Sequence, residues 1–337
     1  MNPISLGKSG LCVSVALALM GCEARLDLAG VQQELSKPVR RTDQLQSIAR
    51  NDSHLVAVGA HGLILTAAAS PQPNWQRLEV DGAASFVDVE SCPDQRFVAL
   101  AMNRTVWVSD SAGQNWISHP VESMENLLTL ACTPDNTLWL GGSFSTLMSS
   151  TDGAASWATQ SLDQDAMFTD IHFVDAQNGV AVGEFGMVLR TTDSGQQWQS
   201  LNPIPDDFYP QSAWFENLND GWVTGLGGNV LHTRDGGQSW QAQTTGTDAP
   251  IYGIADLPGG PGNASLFAVG DHSHLLLYRD GQWQPQTVSP APFFLRDGVE
   301  VNGHLILVGG GGAIHSVNLG QAQQALSPSS SQHLAEY

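Results

Sequence analysis

Short runs of alternating apolar and polar residues fill this chain, and residues 168–198 show the pattern most clearly. The run from Phe168 to Val174 has the two-residue period of a β-strand, and a second apolar run, Val180 to Gly183, follows a turn. A third run, Met187 to Thr191, leads through another polar turn to Trp198. The pattern predicts four short antiparallel strands joined by Gly, Asn and Asp turns, and no stretch predicts an amphipathic helix.

This four-strand pattern repeats along the chain with a period of 41 to 43 residues. A tryptophan marks each period, at Trp75, Trp116, Trp157, Trp198, Trp240 and Trp283. The first strands of the repeats are predicted to begin near Leu45, Phe86, Leu127, Phe168, Tyr209, Ile251 and Phe293. Repeats of about 40 residues with four strands each are typical of propellers. The predicted fold is therefore an all-β, seven-bladed β-propeller of four-stranded antiparallel blades.

The last repeat has no tryptophan strand, so something else must complete it. Residues 31–39 precede the first repeat, and we predict that they add an outer strand to the final blade and close the ring. The predicted organisation is a signal peptide at 1–21, an anchor and closing strand at 22–44, the propeller at 45–319 and a disordered tail at 320–337.

The first residues are predicted to be a targeting segment. Lys8 precedes a short apolar run, and Leu19-Met20-Gly21-Cys22 resembles the lipobox of bacterial lipoproteins. Cys22 would then be lipidated, and the protein would face the periplasm while anchored to the inner or the outer membrane. The alternatives are an ordinary secretory signal that is cut elsewhere and a buried strand with an incidental cysteine.

The charge balance excludes some classes of partner. The chain has 13 Lys and Arg against 33 Asp and Glu, a net charge of −20. Nucleic acids and anionic lipid surfaces require clusters of basic residues, so neither is an expected partner. No Cys/His spacing resembles a zinc site, and we predict no metal, no cofactor and a monomeric propeller.

Two cysteines remain beyond the targeting segment. Cys92 and Cys132 occupy nearly equivalent places in successive repeats. In an oxidising compartment they could form a disulfide between two blades; the alternative is a pair of small buried thiols. The distance between their Cα atoms decides between a disulfide and two free thiols, and the sequence does not give this distance.

The turn before the tryptophan matches the Asp box of BNR repeats, Ser/Thr-x-Asp-x-Gly-x-x-Trp. It is complete at 191–198 and 233–240, carries Ala154 in place of Gly at 150–157, and has Ser111 in place of Asp at 109–116. We expect Asp to accept backbone N–H bonds, Gly to supply a positive φ and Trp to pack between sheets. The residues assigned this structural role are Asp152, Trp157, Asp193, Gly195, Trp198, Asp235, Gly237 and Trp240.

These repeats resemble the BNR-repeat photosystem II assembly and stability factor family. The resemblance implies a non-enzymatic propeller that binds a membrane-protein subunit or an assembly intermediate. The scarcity of basic residues departs from the arginine-lined contact surface of the photosynthetic members.

Sialidases and other glycoside hydrolases also have Asp-box propellers, so the Asp boxes of this chain resemble theirs. This resemblance implies a glycoside hydrolase as the alternative function. Such an enzyme needs clustered arginines and carboxylates at the central cavity. Arg190, Arg234 and Arg279 lie at or beside Asp-box turns, and Arg104 and Arg296 are better placed. No catalytic residue is assigned.

Binding in propellers concentrates on the turns between second and third strands and on the connections from each fourth strand to the next blade. Candidate binding residues there are His61, Arg104, Phe144, Glu184, Phe185, Asp271 and His272. The connections add the acids Glu122, Glu125, Asp163, Asp165, Asp206, Asp207 and Asp248. One hypothesis is recognition of a basic or amphipathic segment of an envelope protein. The alternative is that the rings of Phe144 and Phe185 fold back onto the core.

Overall fold

A computed structural model describes residues 28–322 apart from 81, 83, 259 and 261–263. The chain divides into two compact units, the first ending at Ser36 and the second beginning at Lys37. Within the described part, the first unit holds the helix α1 (Ala29–Leu35). The predicted signal peptide, Cys22 and residues 323–337 lie outside the described residues. No helix in the described part is long and apolar enough to cross a membrane.

The second unit is a propeller of seven antiparallel sheets, and the predicted fold is confirmed. Blade 1 comprises β1 to β4 (Leu45–Arg50, His54–Gly59, Leu63–Ala68, Gln76–Glu79), blade 2 comprises β5 to β8 (Phe86–Ser91, Phe97–Ala101, Thr105–Ser109, Trp116–Pro120), and blade 3 comprises β9 to β12 (Leu127–Cys132, Leu138–Gly142, Thr146–Ser150, Ala158–Ser161). Blade 4 comprises β13 to β16 (Phe168–Phe173, Gly179–Gly183, Met187–Thr191, Gln199–Ser200), and blade 5 comprises β17 to β20 (Ser212–Phe215, Gly221–Thr224, Val230–Thr233, Gln241–Gln243). Blade 6 comprises β21 to β24 (Ile251–Asp256, Ala264–Gly270, His274–Arg279, Gln282–Thr287), and blade 7 comprises β25 to β27 (Leu295–Val301, His304–Gly309, Ile314–Asn318), after which α2 (Leu319–Ala322) follows.

The first strand of each blade lines the ring axis and contacts the first strand of the next blade, including β25 with β1. The second strands of blades 2 to 5 are buried along their whole length, because neighbouring sheets cover both of their faces. The first strands of blades 5 and 7 begin a few residues later than predicted, at Ser212 and Leu295.

Each of the six periodic tryptophans packs into the apolar cluster between its own blade and the preceding one. Trp157, for example, contacts the cluster shared by blades 2 and 3, and Trp283 the cluster shared by blades 5 and 6. Blade 7 has no such tryptophan, and Leu319 at the start of α2 is buried in the cluster between blades 6 and 7 instead. A leucine therefore fills the slot that tryptophan fills in the complete blades.

The predicted closing strand is wrong. Residues 29–35 form α1, and no described residue adds a fourth strand to blade 7. The segment is rich in Gln, Glu, Leu and Ala, which favour a helix, and Pro38 has no N–H to contribute to a ladder. The ring closes instead by packing of blade 7 against blade 1 and by an antiparallel bridge between Gln44 and Gly310. The predicted tail begins inside α2, at Gly320.

Cys92 and Cys132 form a disulfide, with their Cα atoms 5.4 Å apart. Cys92 follows β5 and Cys132 ends β9, so the bond joins blade 2 to blade 3. Of the two alternatives left open by the sequence, the structure therefore contains the disulfide.

The Asp boxes of blades 3, 4 and 5 have the same hydrogen bonds. In blade 4, the backbone N–H of Gln197 donates to Asp193 Oδ1 at 2.9 Å, and the N–H of Gly195 donates to Thr191 Oγ1 at 2.9 Å. Equivalent bonds fix the boxes of Asp152 and Asp235. Side-chain and backbone bonds from Ser156 lower the pKa of Asp152 to about 2, and similar bonds lower the pKa of Asp193 and Asp235. These carboxylates therefore stabilise turns.

Blade 2 lacks an aspartate at the expected box position but uses its neighbour. Ser111 occupies that position, and Asp110 Oδ1 accepts the N–H groups of Ala112 and Gln114 at 3.1 and 3.0 Å. The box is thus displaced by one residue, which strict motif spacing does not detect.

Candidate functional site

The top face of the propeller, formed by the turns between second and third strands and by the connections between blades, carries strained turn tips. His61, Arg104, Phe144, Phe185 and His272 each stand at a turn tip with φ between 51° and 60°. This left-handed conformation is uncommon for bulky residues and costs about 1–2 kcal/mol at each position. Strain of this kind concentrates at binding and catalytic sites.

The turn of blade 4 illustrates how these tips are held. The backbone N–H of Glu184 donates to Met167 O at 2.9 Å, so the turn is fixed to the connection beside it. Gly183 permits this approach, because a Cβ there would lie 2.4 Å from Met167 O. The Glu184 side chain adds a bond, since its Oε2 accepts the Met167 N–H at 3.0 Å. Glu184 therefore positions the turn, and Phe185 projects from it.

Both turn phenylalanines point into solvent. The exposed fraction is 53% for Phe144 and 61% for Phe185. Their rings do not fold back onto the core, as one of the two sequence hypotheses required. Exposed aromatic rings on strained turns have no evident role in packing, which favours a role in binding.

The two rings belong to a set of exposed apolar side chains on the turns and connections of blades 2 to 5. We call it the apolar arc; its residues are Met102, Met124, Phe144, Phe185, Tyr209 and Leu226, all at least 38% exposed. The described propeller has one other large apolar side chain this exposed, Ile117 on the outer strand β8. The exposed apolar residues are therefore concentrated on one part of the top face.

Acids surround the apolar arc. Side chains in the connections between blades are exposed at Glu122, Asp163, Asp165, Asp206, Asp207 and Asp248. Arg104 lies on the same side, where its Nη1 donates to Met124 O at 3.3 Å. Of the predicted binding residues, Arg104, Phe144, Glu184 and Phe185 thus fall in consecutive blades 2, 3 and 4. His61, Asp271 and His272 lie in blades 1 and 6, outside the arc.

Sequence reasoning missed Met124 and Tyr209 as members of this surface. Met124 stands in an acidic connection, between Glu122 and Glu125, and is 90% exposed. In the sequence, an isolated apolar residue among acids was the feature that could have identified Met124 as part of this surface.

A second candidate site is the axial cavity, of about 540 Å³, which the first strands of six blades and part of the seventh line. Its lining includes six carboxyl groups, those of Asp88, Glu90, Asp170, Asp256, Asp297 and Glu300. Two arginines, Arg50 and Arg296, also line it; Arg50 is paired with Glu300 at 3.1 Å, and Arg296 lies over the Tyr252 ring at 5.2 Å. No group of His, Cys, Asp or Glu side chains in the described part is arranged to hold a metal ion.

Three of these aspartates tie neighbouring blades together. Asp88 Oδ2 accepts the N–H of Leu130 in blade 3 at 2.9 Å, and Asp170 Oδ2 accepts the N–H of Ala213 in blade 5 at 2.8 Å. Asp297 of blade 7 accepts the N–H of Ile48 in blade 1 at 2.9 Å. First strands of adjacent blades diverge without a ladder, and the carboxyl groups satisfy backbone donors that would otherwise have no partner there.

Burial shifts the pKa of several side chains that line the axial cavity. It raises the pKa of Asp88 to about 7, with Asp170 and Asp297 adding repulsion. Burial also raises the pKa of Glu90, Asp170 and Asp297. His172, whose Nε2 donates to Phe215 O at 3.0 Å, has its pKa lowered to about 4 by burial. Sequence reasoning missed this cluster, although Asp recurs at the third position of three first strands.

Known proteins resemble part of this chain. Residues 153–261 match the family model described as photosynthesis system II assembly factor YCF48. The photosystem II assembly protein Ycf48 of Thermosynechococcus vestitus is 33% identical over 146 residues, which cover 40% of this chain and 42% of that protein. The photosystem II assembly lipoprotein Ycf48 of a Synechococcus strain is 32% identical over 157 residues, 43% of this chain and 46% of that protein.

The chain is a β-propeller whose matched residues resemble the Ycf48 family. It spans less than half the length of these curated relatives. A solved structure of YCF48 bound to D1 peptide has the same fold, with a TM-score of 0.61 at 15% identity over 75% of this chain and 83% of that one. The resemblance suggested by the repeats is thereby confirmed.

The sialidase-like alternative required clustered arginines at the cavity of this Ycf48-like chain. Arg190, Arg234, Arg279 and Arg104 are not among the residues that line it. Three of its acids are engaged by backbone donors in the next blade, which gives them a structural role. The geometry therefore favours binding on the top face over hydrolysis at the axis.

As the pH falls from 7 to 5, the axial acids should raise the free energy of unfolding, whereas His172, whose pKa is lowered, should lower it. The pKa of Asp88 is about 7 in the folded chain against an ordinary 3.8, so in this window the folded state holds a proton that the unfolded chain releases. One such proton is worth about 1.4 kcal/mol per pH unit. Below the ordinary pKa the sign reverses, because the Asp-box carboxyl groups have lowered pKa values.

Denaturant unfolding of the parent and of Asp88→Asn at several pH values tests this expectation. Asparagine keeps an oxygen acceptor for the Leu130 N–H but cannot titrate. The slope between pH 5 and 6 should fall by about 1.4 kcal/mol per unit in the variant. Equal slopes in the two proteins would contradict the assignment.

Proposed function

We propose that this protein is a non-enzymatic, lipid-anchored envelope factor that binds a segment of a membrane protein on its top face. The observation that carries the proposal is the apolar arc, with Phe144 and Phe185 exposed at left-handed turn tips. Aromatic side chains that protrude from a rigid scaffold are the residues that dominate binding energy in interfaces. The surrounding acids favour a segment that combines apolar and basic residues.

The relatives support the assembly role. They are named as photosystem II assembly proteins, one of them as a lipoprotein, and a structural neighbour is a complex with D1 peptide. We extend this role to the present chain as assistance to the assembly or stability of a membrane protein. Lipidation at Cys22 would hold the propeller near its partner on the periplasmic side.

The double variant Phe144→Ala/Phe185→Ala should weaken partner binding by about 100-fold or more, because truncating a central aromatic residue typically removes about 2 kcal/mol or more. Thermal stability should stay close to that of the parent, because both rings lie in solvent. The matched control is Ile117→Ala, which removes an equally exposed side chain (67%) outside the top face.

The measurement is chemical crosslinking of the lipidated protein in envelope membranes, followed by mass spectrometry, with D1 peptide titrated in parallel as a defined probe. A membrane protein that is crosslinked by the parent and by Ile117→Ala, but not by the double variant, would support the proposal. Recovery of the same protein by all three would show that the apolar arc is not the binding surface. Glu184 is left unchanged because it supports the blade 4 turn.

A further inference from the structure

The axial cavity contains a ring of polar side chains at one level. They occupy the same register position in the first strands of six blades, opposite a residue at or next to the end of the second strand, and all of them line the cavity. We call them the axial ring; its residues are Ser47, Asp88, Thr129, Asp170, Ser212 and Asp297. Repulsion from Asp170 and Asp297 raises the pKa of Asp88. The three carboxyl groups therefore face a common space.

A second level of functional groups lies two residues further along the first strands. Residues two positions apart in a strand face the same side, and about 7 Å separates them because a strand rises about 3.3 Å per residue. At this second level Glu90, His172 and Trp214 line the cavity. Glu90 and His172 belong to the strands of Asp88 and Asp170, and the rings of His172 and Trp214 have their centroids 6.1 Å apart. Polar and aromatic groups therefore surround the axis at two levels.

The Thr129 hydroxyl in the axial ring has no hydrogen-bond partner within the described part of the chain. Its residue is 3% exposed and lines the cavity. The other two hydroxyl groups of the ring differ, because Ser47 and Ser212 donate to Asp297 and Asp170, each at 2.9 Å. Buried hydroxyl groups nearly always have a partner. A buried, unpartnered hydroxyl that lines a cavity therefore indicates a ligand within its reach.

Hydrogen-bond acceptors outnumber donors in this cavity. His172 Nε2 donates to Phe215 O, and burial lowers the pKa of His172 to about 4, so the ring is neutral at pH 7 and its Nδ1 carries a lone pair. An ionised carboxyl group accepts about four hydrogen bonds, which is more than the described bonds to any of the three ring aspartates. The donor Arg50 is paired with Glu300. A ligand for this cavity must therefore supply donors.

The charge and the size of the cavity narrow the class of ligand. Six carboxyl groups line it against two guanidinium groups, which favours a cation. A metal ion needs oxygen ligands within about 2.6 Å, and no group of side chains in the described part is arranged to hold one. An ammonium group has three donors, and an aromatic face such as that of Trp214 attracts it. The cavity volume of about 540 Å³ is within the range for small molecules, about 300–1,000 Å³.

We propose that the axial cavity binds a small aliphatic polyamine, with one ammonium group at the axial ring and another at the second level. The distance of about 7 Å between the levels suits two ammonium groups joined by a short alkyl chain. The ring aspartates keep their bonds to neighbouring blades, and the amine uses their remaining acceptor capacity and the Thr129 hydroxyl. This site is separate from the apolar arc, and it does not depend on the function proposed for the arc.

Isothermal titration calorimetry of the full chain with putrescine and with spermidine tests the proposal. Saturable binding of one amine per chain is expected for both probes. The diol with the alkyl chain of putrescine has no charge and should not bind. The proposal would be overturned by the absence of saturable binding, by equal binding of the diol, or by binding of Mg²⁺ as tight as that of putrescine.

Proton release is a second readout of the same titration. The six carboxyl groups face the cavity together with Arg50, His172, Tyr252 and Arg296. Burial raises the pKa of Asp88 and Glu90, and a bound cation favours their ionised form, so amine binding should release protons at pH 7. Titrations in phosphate and in Tris, which differ in ionisation enthalpy, measure this release. Binding without proton release would contradict the proposed location.

Two conservative variants test the two levels separately. Glu90→Gln keeps the shape of the side chain but cannot ionise, and it should lower the affinity for putrescine about tenfold or more. Thr129→Val removes only the hydroxyl and should lower it about threefold or more. The control is Glu122→Gln, an exposed acid in a connection between blades, which should bind like the parent. Parent affinity in both cavity variants would overturn the proposal, and the comparison with the diol does not depend on how well they fold.

A lysine side chain of another protein carries the same ammonium group, and a capped peptide with one lysine distinguishes it from a free amine. Putrescine should bind more tightly than the peptide, because it places an ammonium group at both levels. Tighter binding of the peptide would assign the cavity to a partner protein and overturn the proposal. The variant Phe144→Ala/Phe185→Ala should bind putrescine like the parent, so that failure at the apolar arc and failure at the axis give different results.

Discussion

Replacing both Cys92 and Cys132 with alanine is expected to lower the free energy of unfolding by about 4 kcal/mol. The disulfide closes a loop with a sequence separation of 40 residues, and chain-entropy estimates for such a loop give about 4 kcal/mol. Denaturant unfolding under oxidising conditions measures the difference. This loss would be a large fraction of the total free energy of unfolding, because folded domains are stable by only about 5–15 kcal/mol.

Single replacements and reduction provide the controls for the disulfide. Cys92→Ala or Cys132→Ala alone removes the same bond, so each should lose nearly as much stability as the double variant. The parent in excess reductant should resemble the variants, and the variants should not respond to reductant. A double variant within 1 kcal/mol of the oxidised parent would show that packing between blades 2 and 3 suffices without the bond.

Gly195→Ala should destabilise the protein by about 3 kcal/mol or more, whereas the same change at the equivalent Gly237 should cost only about 1–2 kcal/mol. Both glycines have positive φ, 76° and 84°, so alanine strains the backbone similarly at each, by about 1–2 kcal/mol. The space differs. A Cβ on Gly195 would lie 2.1 Å from Trp139 Cζ2, but on Gly237 the nearest atom is Leu201 Cδ1 at 3.3 Å.

The collision at Gly195 is expensive because Trp139 cannot move aside. Its ring is 2% exposed and packs against Trp198 and Phe173, with ring centroids 5.5 and 5.7 Å apart. Overpacking of a filled core costs about 1–3 kcal/mol beyond the backbone strain. Ala154, which stands at the same box position in blade 3 with φ 72°, shows that the backbone alone tolerates alanine. Equal losses at 195 and 237 would refute the packing explanation.

The fold could be predicted because most repeats carry the same local sequence patterns. Two-residue alternation, Asp-box turns and a periodic tryptophan each indicate four-stranded units, and 41 to 43 residues suit one blade. The closing strand could not be predicted in the same way, because residues 29–38 carry no repeat pattern. Their helix-forming composition and Pro38 decided against a strand.

The candidate site was only partly predictable. Turn tips such as Phe144 and Phe185 could be located by their place in the repeat, but exposure depends on the left-handed backbone, which the sequence does not reveal for a non-glycine residue. The axial carboxyl groups follow from which residues of the first strands face the axis. Their pKa values depend on burial and on the proximity of Asp88, Asp170 and Asp297, which are far apart in the chain.

The hydrogen bonds between Asp297 and blade 1 can form only late in the synthesis of the chain. The Asp297 carboxyl accepts the Ser47 hydroxyl and the Ile48 N–H, partners that precede it by 250 and 249 residues. A ribosome adds about 5–20 residues per second, so roughly 12–50 s separate the appearance of these groups. Blade 1 is therefore synthesised first, but its inner strand β1 has no Asp297 carboxyl to accept these two hydrogen bonds until blade 7 has been synthesised.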